Sequence, residues 1–170
     1  GKDYVANIIC EKYNFTKFHI ASKLKKICKV LFNFTDKQLY GEHKDVTCPK
    51  WKVTPRKMFE YIGTDIFQYD VQKKLSDIQK NFWINSLLSD IEEHEYVVIS
   101  DLRFKHEYDV LKKTIDNLVV IRVENELSND GEIEQAHLQI PYDYKIFNSK
   151  YNPAYHTMFA IDHVIKNILP

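Results

Sequence analysis

The chain has 170 residues, 44% of them hydrophobic, and its 24 basic side chains balance 24 acidic ones. This length and apolar content suit a single domain over residues 1–170. Zero net charge and the absence of an apolar run of roughly twenty residues exclude a strongly basic nucleic-acid binder and a membrane span, so we expect neither partner. Three cysteines without a CxxC pair predict neither a disulfide framework nor a zinc site. We therefore expect a reducing compartment, the cytoplasm.

The sequence opens on Gly1-Lys2-Asp3 and runs at once into a helical pattern over residues 4–13. Backbone N–H groups at a helix N-terminus attract anions. Gly-Lys followed by a polar residue is also how a phosphate-binding loop ends, where the lysine reaches phosphates and the next side chain meets Mg²⁺. Taken alone, the tripeptide is explained more simply as a solvated turn. We expect further residues upstream of Gly1.

The next segments predict a short strand over residues 15–20 and a helix over residues 21–32. The apolar face of that helix is formed by Leu24, Ile27, Cys28 and Leu31. A further helix starts at Thr54-Pro55-Arg56-Lys57, with threonine at the cap and proline at the first helical position. The two cations oppose the helix dipole, which favours an anion over this turn. Gly63-Thr64-Asp65 should end the helix, and Asp65 could cap the next one.

A long amphipathic helix is predicted between Leu75 and Ile91. Trp83, within it, and Trp51 could stack on a base, although a core position is the better interpretation for both. Helices are also predicted over residues 105–114 and near the C-terminus, the latter with its apolar face formed by Met158, Ile161, Ile165 and Ile168.

Apolar runs predict buried strands over residues 96–100 and 118–123, and a short last strand covers residues 144–148. The first run ends in Asp101 and Arg103, and ligands bind at the carboxyl ends of strands in open α/β sheets. A structural ion pair between these two side chains is an equally good interpretation. Arg122, near the end of the second run, is better interpreted as a surface partner of Glu124 or Glu126.

The alternation of strands and helices predicts a three-layer α/β domain with a central parallel sheet flanked by helices. Four strands are visible, and a fifth upstream of Gly1 would complete the sheet. The acidic, turn-prone segment 124–139 suits a lid-like flap over a site. The seven histidines have no metal-ligand spacing, so we expect them to be structural.

Several motifs resemble those of the P-loop deoxynucleoside monophosphate kinases of phages and large DNA viruses, which are related to animal-type phosphomevalonate kinases. Gly1-Lys2-Asp3 is similar to the end of the family's phosphate loop, and Ile99-Ser100-Asp101-Leu102-Arg103-Phe104 is similar to its ISDxRF block. Thr54 to Asp65 resembles the family's acceptor helix, and Ile146-Phe147-Asn148 its last strand. The flap contains no arginine or lysine, so it cannot itself clamp a phosphate.

The resemblance implies transfer of the ATP γ-phosphoryl group to a deoxynucleoside monophosphate, with Mg²⁺ as cofactor, in the host cytoplasm if the protein is viral. The expected ATP-binding residues are Gly1, Lys2 and Asp3; the metal ligands Asp3 and Asp101; the catalytic residues Lys2, Asp101 and Arg103; and the acceptor-binding residues Arg56, Thr64, Asp65, Arg103 and Arg122. A phosphomevalonate kinase and a non-catalytic nucleotide-binding module remain alternatives. The base, the sugar and the oligomeric state, including a homodimer, stay open.

Overall fold

The computed structural model describes residues 1–125, 139–148 and 153–169. The α-helices and strands in chain order are α1 (Lys2–Tyr13), β1 (Thr16–Phe18), α2 (Ser22–Phe32), α3 (Asp36–Leu39), α4 (Pro55–Glu60), α5 (Val71–Lys74), α6 (Phe82–Ile91), β2 (Val97–Ile99), α7 (Lys105–Thr114), β3 (Ile121–Asn125), β4 (Tyr144–Asn148) and α8 (Pro153–Ile168). Short 3₁₀ helices cover Glu42–Asp45 and Ser76–Ile78, and a π-helix over Tyr61–Asp70 joins α4 to α5. In the described part of the chain no helix is long and apolar enough to cross a membrane.

The chain divides into two compact units. Unit 1 comprises residues 1–19 and 91–170, and unit 2 comprises residues 20–90. All four strands belong to unit 1, whereas unit 2 holds α2 to α5 and most of α6. The expectation of one domain over the whole chain stays a prediction.

The strands of unit 1 pair in parallel, as predicted. β1 pairs with β2, with Phe18 opposite Ile99, and β3 pairs with β4, with Val123 opposite Ile146. The described residues form two two-stranded sheets, whereas we expected their four strands to belong to one central sheet that a fifth strand would complete. Both pairs nevertheless pack on one apolar cluster, to which β2 contributes Val98 and β3 contributes Val123.

That cluster is the core of unit 1 and lies between α1, α8 and β4. Its buried members are Val5, Ile9, Ile146, Ile161, Val164 and Ile165. In α8 the spacing of three and four residues places Ile161, Val164 and Ile165 on one helix face. The predicted apolar face of the closing helix is thus confirmed at Ile161 and Ile165, whereas Met158 is 40% exposed.

Two helices of unit 2 depart from the predicted pattern. The predicted helix from Leu75 begins only at Phe82, because Leu75 and Gln79 (φ 52°) leave the helical conformation, and Leu75 is 56% exposed. In α2, Leu24 and Cys28 are buried, but Leu31 is 60% exposed in the last turn, next to the chain reversal at Asn33. The spacing of apolar residues does not predict the positive φ angles at Asn33 and Gln79, where the helical conformation ends.

Gly63 does not end the helix that begins at Thr54, contrary to our expectation. The helix passes through Gly63, Thr64 and Asp65 as a π-helix, so Asp65 does not cap a following helix. The carbonyl of Gly63 accepts a hydrogen bond of 2.9 Å from the buried indole N–H of Trp83. A Cβ at Gly63 would lie 2.6 Å from Cδ2 of Leu24, so any larger residue there would require the Leu24 side chain to shift.

The two tryptophans have different environments. Trp83 is 5% exposed, which confirms the core interpretation. Trp51 is 37% exposed; its indole N–H donates to the carbonyl of Phe32 at 3.1 Å, and its ring meets that of Phe32 edge-on. The core interpretation is therefore wrong for Trp51.

Candidate functional site

The N-terminus of α1 carries the Gly-Lys-Asp sequence. Gly1 immediately precedes the helix, and Lys2 and Asp3 occupy its first turn with exposed side chains. A Cβ at Gly1 would lie 2.6 Å from Nδ2 of Asn148, the last residue of β4. Asn148 accepts a hydrogen bond of 3.5 Å from the fully buried hydroxyl of Thr157. Glycine thus allows the end of β4 to approach the helix start closely.

Asp3 is the centre of a polar cluster in unit 1. Its Oδ1 accepts a hydrogen bond of 2.9 Å from Oγ of Ser100 and lies 2.5 Å from Nζ of Lys17 and 3.3 Å from Nε2 of His19. The hydrogen bond from Lys17 holds the pKa of Asp3 well below its usual range, against the opposing effect of partial burial and with help from Ser100 and His19. Asp3 therefore stays ionised and fixed in orientation at neutral pH.

Two elements of the sheet supply the partners of Asp3. Ser100 is buried and directly follows β2, while Lys17 lies in β1 and also donates to Oδ1 of Asn7 at 3.0 Å, one turn further along α1. The hydrogen bond between Ser100 and Asp3 thus joins the first turn of α1 to the carboxyl end of β2. The structure brings Asp3 to the sequence neighbour of Asp101, and the roles assigned to both acids stay predictions.

The turn between β2 and α7 carries Asp101 and Arg103. Asp101 is half-buried and Arg103 is exposed. The backbone N–H groups of Arg103 and Phe104 each donate a hydrogen bond of 3.0 Å to Oε2 of Glu107, which is 5% exposed. Burial raises the pKa of Glu107, while the two backbone hydrogen bonds lower it. The charge of Asp101 raises this pKa further, and that of Arg103 opposes the rise.

Arg122 of β3 is held by the chain that leads into β4. Its Nη2 donates to the carbonyl of Ile140 at 3.0 Å, and its guanidinium lies 4.3 Å from the ring centre of Tyr142. Glu124, one of the two predicted partners of Arg122, forms an ion pair of 2.9 Å with Lys145 on β4. The other, Glu126, and the flap at residues 126–138 lie outside the described residues.

The acceptor residues predicted on the helix after Thr54 belong to unit 2. Thr54 caps α4 as predicted, accepting a hydrogen bond from the N–H of Lys57 at 3.3 Å. The guanidinium of Arg56 makes two hydrogen bonds to the carboxylate of Asp45, one of them 3.0 Å long between Nη2 and Oδ2. We expected an anion over this turn, and the carboxylate of Asp45, also in unit 2, occupies that place. Thr64 is half-buried and Asp65 exposed, and their roles stay predictions.

Sequence reasoning gave no role to Lys17, His19 or Ser100. We expected His19 to be structural, and Ser100 entered only as a letter of a motif. The signal available was the alternation of β1, which places Lys17 and His19 on the face opposite to Phe18. Lys17 in β1 and His19 directly after it therefore share one face, on which a charged partner such as Asp3 could have been expected.

The two metal ligands expected from the sequence, Asp3 and Asp101, are both carboxylates, and their role stays a prediction. Within the described residues no three His, Cys, Asp or Glu side chains cluster in a manner that could hold a metal ion. Mg²⁺ at phosphate sites needs only one or two carboxylates, since the phosphates and water complete its shell. All three contacts of Asp3 described above fall on Oδ1, and Oδ2 takes no part in them.

No family model matches the sequence. The chain is 32% identical, over 162 residues, to a protein of Acanthamoeba polyphaga mimivirus named "Putative deoxynucleotide monophosphate kinase". The match covers 88% of this chain and 83% of the mimivirus protein. The chain belongs to the deoxynucleotide monophosphate kinase family. This confirms the family resemblance inferred from the sequence.

Proposed function

We propose that this protein transfers the γ-phosphoryl group of ATP to a deoxynucleoside monophosphate and so produces ADP and the diphosphate. The observation that carries the proposal is the contact of Asp3, in the Gly-Lys-Asp sequence, with Ser100 at the end of β2, in a chain of this family. The proposed fold is the three-layer P-loop fold, with the Gly-Lys-Asp sequence at the end of its phosphate-binding loop. The packing of both parallel strand pairs on one core supports it.

The proposed donor side consists of Gly1, Lys2, Asp3 and Asp101. Phosphoryl transfer requires little covalent work from protein groups; it requires cations near the moving phosphoryl and an in-line arrangement of donor and acceptor. Lys2 would neutralise the terminal phosphates, with the backbone at Gly1 beside them. Asp3 and Asp101 would hold Mg²⁺, directly or through water, and the ion would supply further neutralisation of the transferring phosphoryl.

The proposed acceptor side is built on arginine. Arg103 would hold the phosphate of the monophosphate, because the guanidinium fork matches phosphate oxygens in pairs. Arg56 and Arg122 are proposed to assist it, with Thr64 and Asp65 contacting the nucleoside. An arriving acceptor phosphate would compete with Asp45 for Arg56, since that guanidinium is engaged by Asp45 here.

An ADP-release assay on the full-length protein tests this function. ATP and Mg²⁺ are supplied with dTMP, dGMP, dCMP, dAMP or phosphomevalonate in parallel. We expect turnover with at least one nucleotide. Turnover with phosphomevalonate alone would replace the proposal with the phosphomevalonate kinase, and no turnover with any nucleotide would refute it.

Substitution of Arg103 tests its proposed role. Because Arg103 is exposed, Arg103→Ala should leave the melting temperature nearly unchanged while kcat/KM for the monophosphate falls by about 100-fold or more. Lys105→Ala is the matched control: it removes an exposed cation two residues away that pairs with Asp109, and it should retain activity. ATP binding without turnover, unchanged in Arg103→Ala, would identify a non-catalytic nucleotide-binding module.

A further inference from the structure

Glu107 is a buried acid whose position is explained by the backbone that it holds. Only 5% of its surface is exposed, and burial of a carboxylate is costly unless hydrogen bonds satisfy it. Here two backbone N–H groups, those of Arg103 and Phe104, donate to the same oxygen, Oε2. The acid therefore serves the turn that precedes α7.

The N-cap position of α7 is occupied by Phe104, whose side chain cannot accept a hydrogen bond. A helix usually draws its cap from serine, threonine, aspartate or asparagine at that position. The N–H groups of Arg103 and Phe104 lie before the first helical residue, and Glu107 accepts both of them from the first turn of the helix. Oε2 of Glu107 therefore holds the backbone of the turn that carries Asp101 and Arg103.

We propose that Glu107 is a positioning residue for phosphoryl transfer: by holding the N–H groups of Arg103 and Phe104, it sets where the Arg103 guanidinium meets the acceptor phosphate. This inference rests on the proposed function. Displacement of a phosphate-binding group by about 1 Å can cost about 100-fold in rate. The effect should fall on the acceptor, since Arg103 is proposed to bind the monophosphate and Lys2 to bind ATP.

Three substitutions at Glu107 separate the hydrogen bonds from the charge. Glu107→Ala removes both acceptor contacts, and kcat/KM for the monophosphate should fall by about 100-fold. Glu107→Asp withdraws the oxygen by one methylene and should cost about tenfold, which carries the test if the alanine variant does not fold. Glu107→Gln should stay within about threefold of wild type, because one amide oxygen can accept both N–H groups.

Gln38→Ala is the matched control for loss of a helix cap. Gln38 makes the equivalent contact in α3, where its Oε1 accepts a 3.0 Å hydrogen bond from the N–H of Thr35. Its removal should lower the melting temperature without altering kcat or either KM. The assay records kcat and KM for ATP and for the monophosphate, normalised to folded protein, and hydrogen exchange at the amides of Arg103 and Phe104 gives a readout independent of activity.

The results separate this inference from the proposed function. Fast exchange at both amides in the alanine or aspartate variant, with losses confined to the acceptor parameters, supports the inference. Losses no larger than those of Gln38→Ala, equal losses toward ATP and monophosphate, or a Glu107→Gln variant as impaired as the alanine variant would each overturn it while wild type still turns over. A wild type that turns over no nucleotide overturns the proposed function, and this inference with it.

Discussion

The ion pair between Lys17 and Asp3 can be removed with little change in side-chain volume. Lys17→Met keeps an unbranched chain of similar length and deletes the ammonium group that lies 2.5 Å from Oδ1 of Asp3 and 3.0 Å from Oδ1 of Asn7. The side chain of Lys17 is only 20% exposed, so the methionine should remain packed between β1 and α1. The variant therefore tests the polar contacts between Lys17 and α1 without creating a cavity.

The expected loss of stability follows from the exposure of the two partners. Breaking a fully buried pair costs about 3–5 kcal/mol, whereas an exposed pair is worth about 0.2–1 kcal/mol. The side chain of Asp3 is 69% exposed and keeps its hydrogen bond from Ser100, so water can replace most of what Lys17 supplied. We expect a loss of about 1 kcal/mol, or about 3 °C in Tm for a chain of this size.

The expected loss of activity is larger than this small destabilisation would produce. Without Lys17, Oδ1 of Asp3 is held less firmly in the proposed phosphate site, since the contacts with Ser100 and His19 remain, and we expect kcat to fall about tenfold, equal to about 1.4 kcal/mol in the barrier. Lys17→Arg should recover most of it. The control is Lys12→Met, which breaks a 2.6 Å pair with Asp162 at the other end of α1.

Thermal unfolding and ADP release on wild type and the three variants decide the matter. Lys12→Met should lose a comparable amount of stability and keep its kcat. If Lys17→Met matches Lys12→Met in kcat, Lys17 contributes only to stability, and the proposal that Lys17 orients Asp3 as a ligand of Mg²⁺ is refuted.

Three further predictions concern packing and pH. Gly63→Ala should lower the free energy of unfolding, measured by chemical denaturation, by about 1 kcal/mol, because the close contact with Leu24 outweighs the better helix propensity of alanine. In a Leu24→Ala background the same change should be neutral or stabilising. Equal effects in both backgrounds would contradict the packing argument. Ile161→Ala, at a fully buried position, should cost about 2–5 kcal/mol, against less than about 0.5 kcal/mol for Val30→Ala at an 83% exposed position. Burial raises the pKa of Glu107 in the folded state. Wild type should therefore lose stability relative to Glu107→Gln as the pH rises from about 4.3, the pKa of an unfolded glutamate, through the raised pKa of the folded state. A difference in unfolding free energy that does not change with pH would show that the pKa of Glu107 is not raised.

The strands and helices of unit 1 could be predicted because their signals are local. The predicted strand over residues 144–148 has the bounds of β4, and the predicted helix over residues 105–114 has those of α7. Helix α1 began two residues before the predicted start, at Lys2. Each of these elements buries an apolar residue, namely Ile9 in α1, Leu111 in α7 and Ile146 in β4, although Phe147 of β4 is 58% exposed.

The helix ends of unit 2 were harder to predict, because at some of them the residue type does not indicate the backbone conformation. Gln79 adopts a left-handed φ of 52° without being glycine or asparagine. Gly63, by contrast, has the residue type of a helix end and lies inside a helix, since the indole of Trp83 satisfies its carbonyl. Tertiary contacts outweigh local preference at both kinds of position.

The contact between Asp3 and Ser100 joins residues 97 positions apart and is set by the register of β1 against β2. With Phe18 opposite Ile99, and with the N–H of Ser100 donating to the carbonyl of Phe18 at 3.4 Å, the next residues along both strands are His19 and Ser100. Both reach Oδ1 of Asp3. A slip of one residue would turn the side chains of one strand to the opposite face and separate this pair. Motifs identified the residue types at the strand ends, but the parallel register brings two of them to one carboxylate oxygen, so apolar packing that holds the register also maintains the polar site.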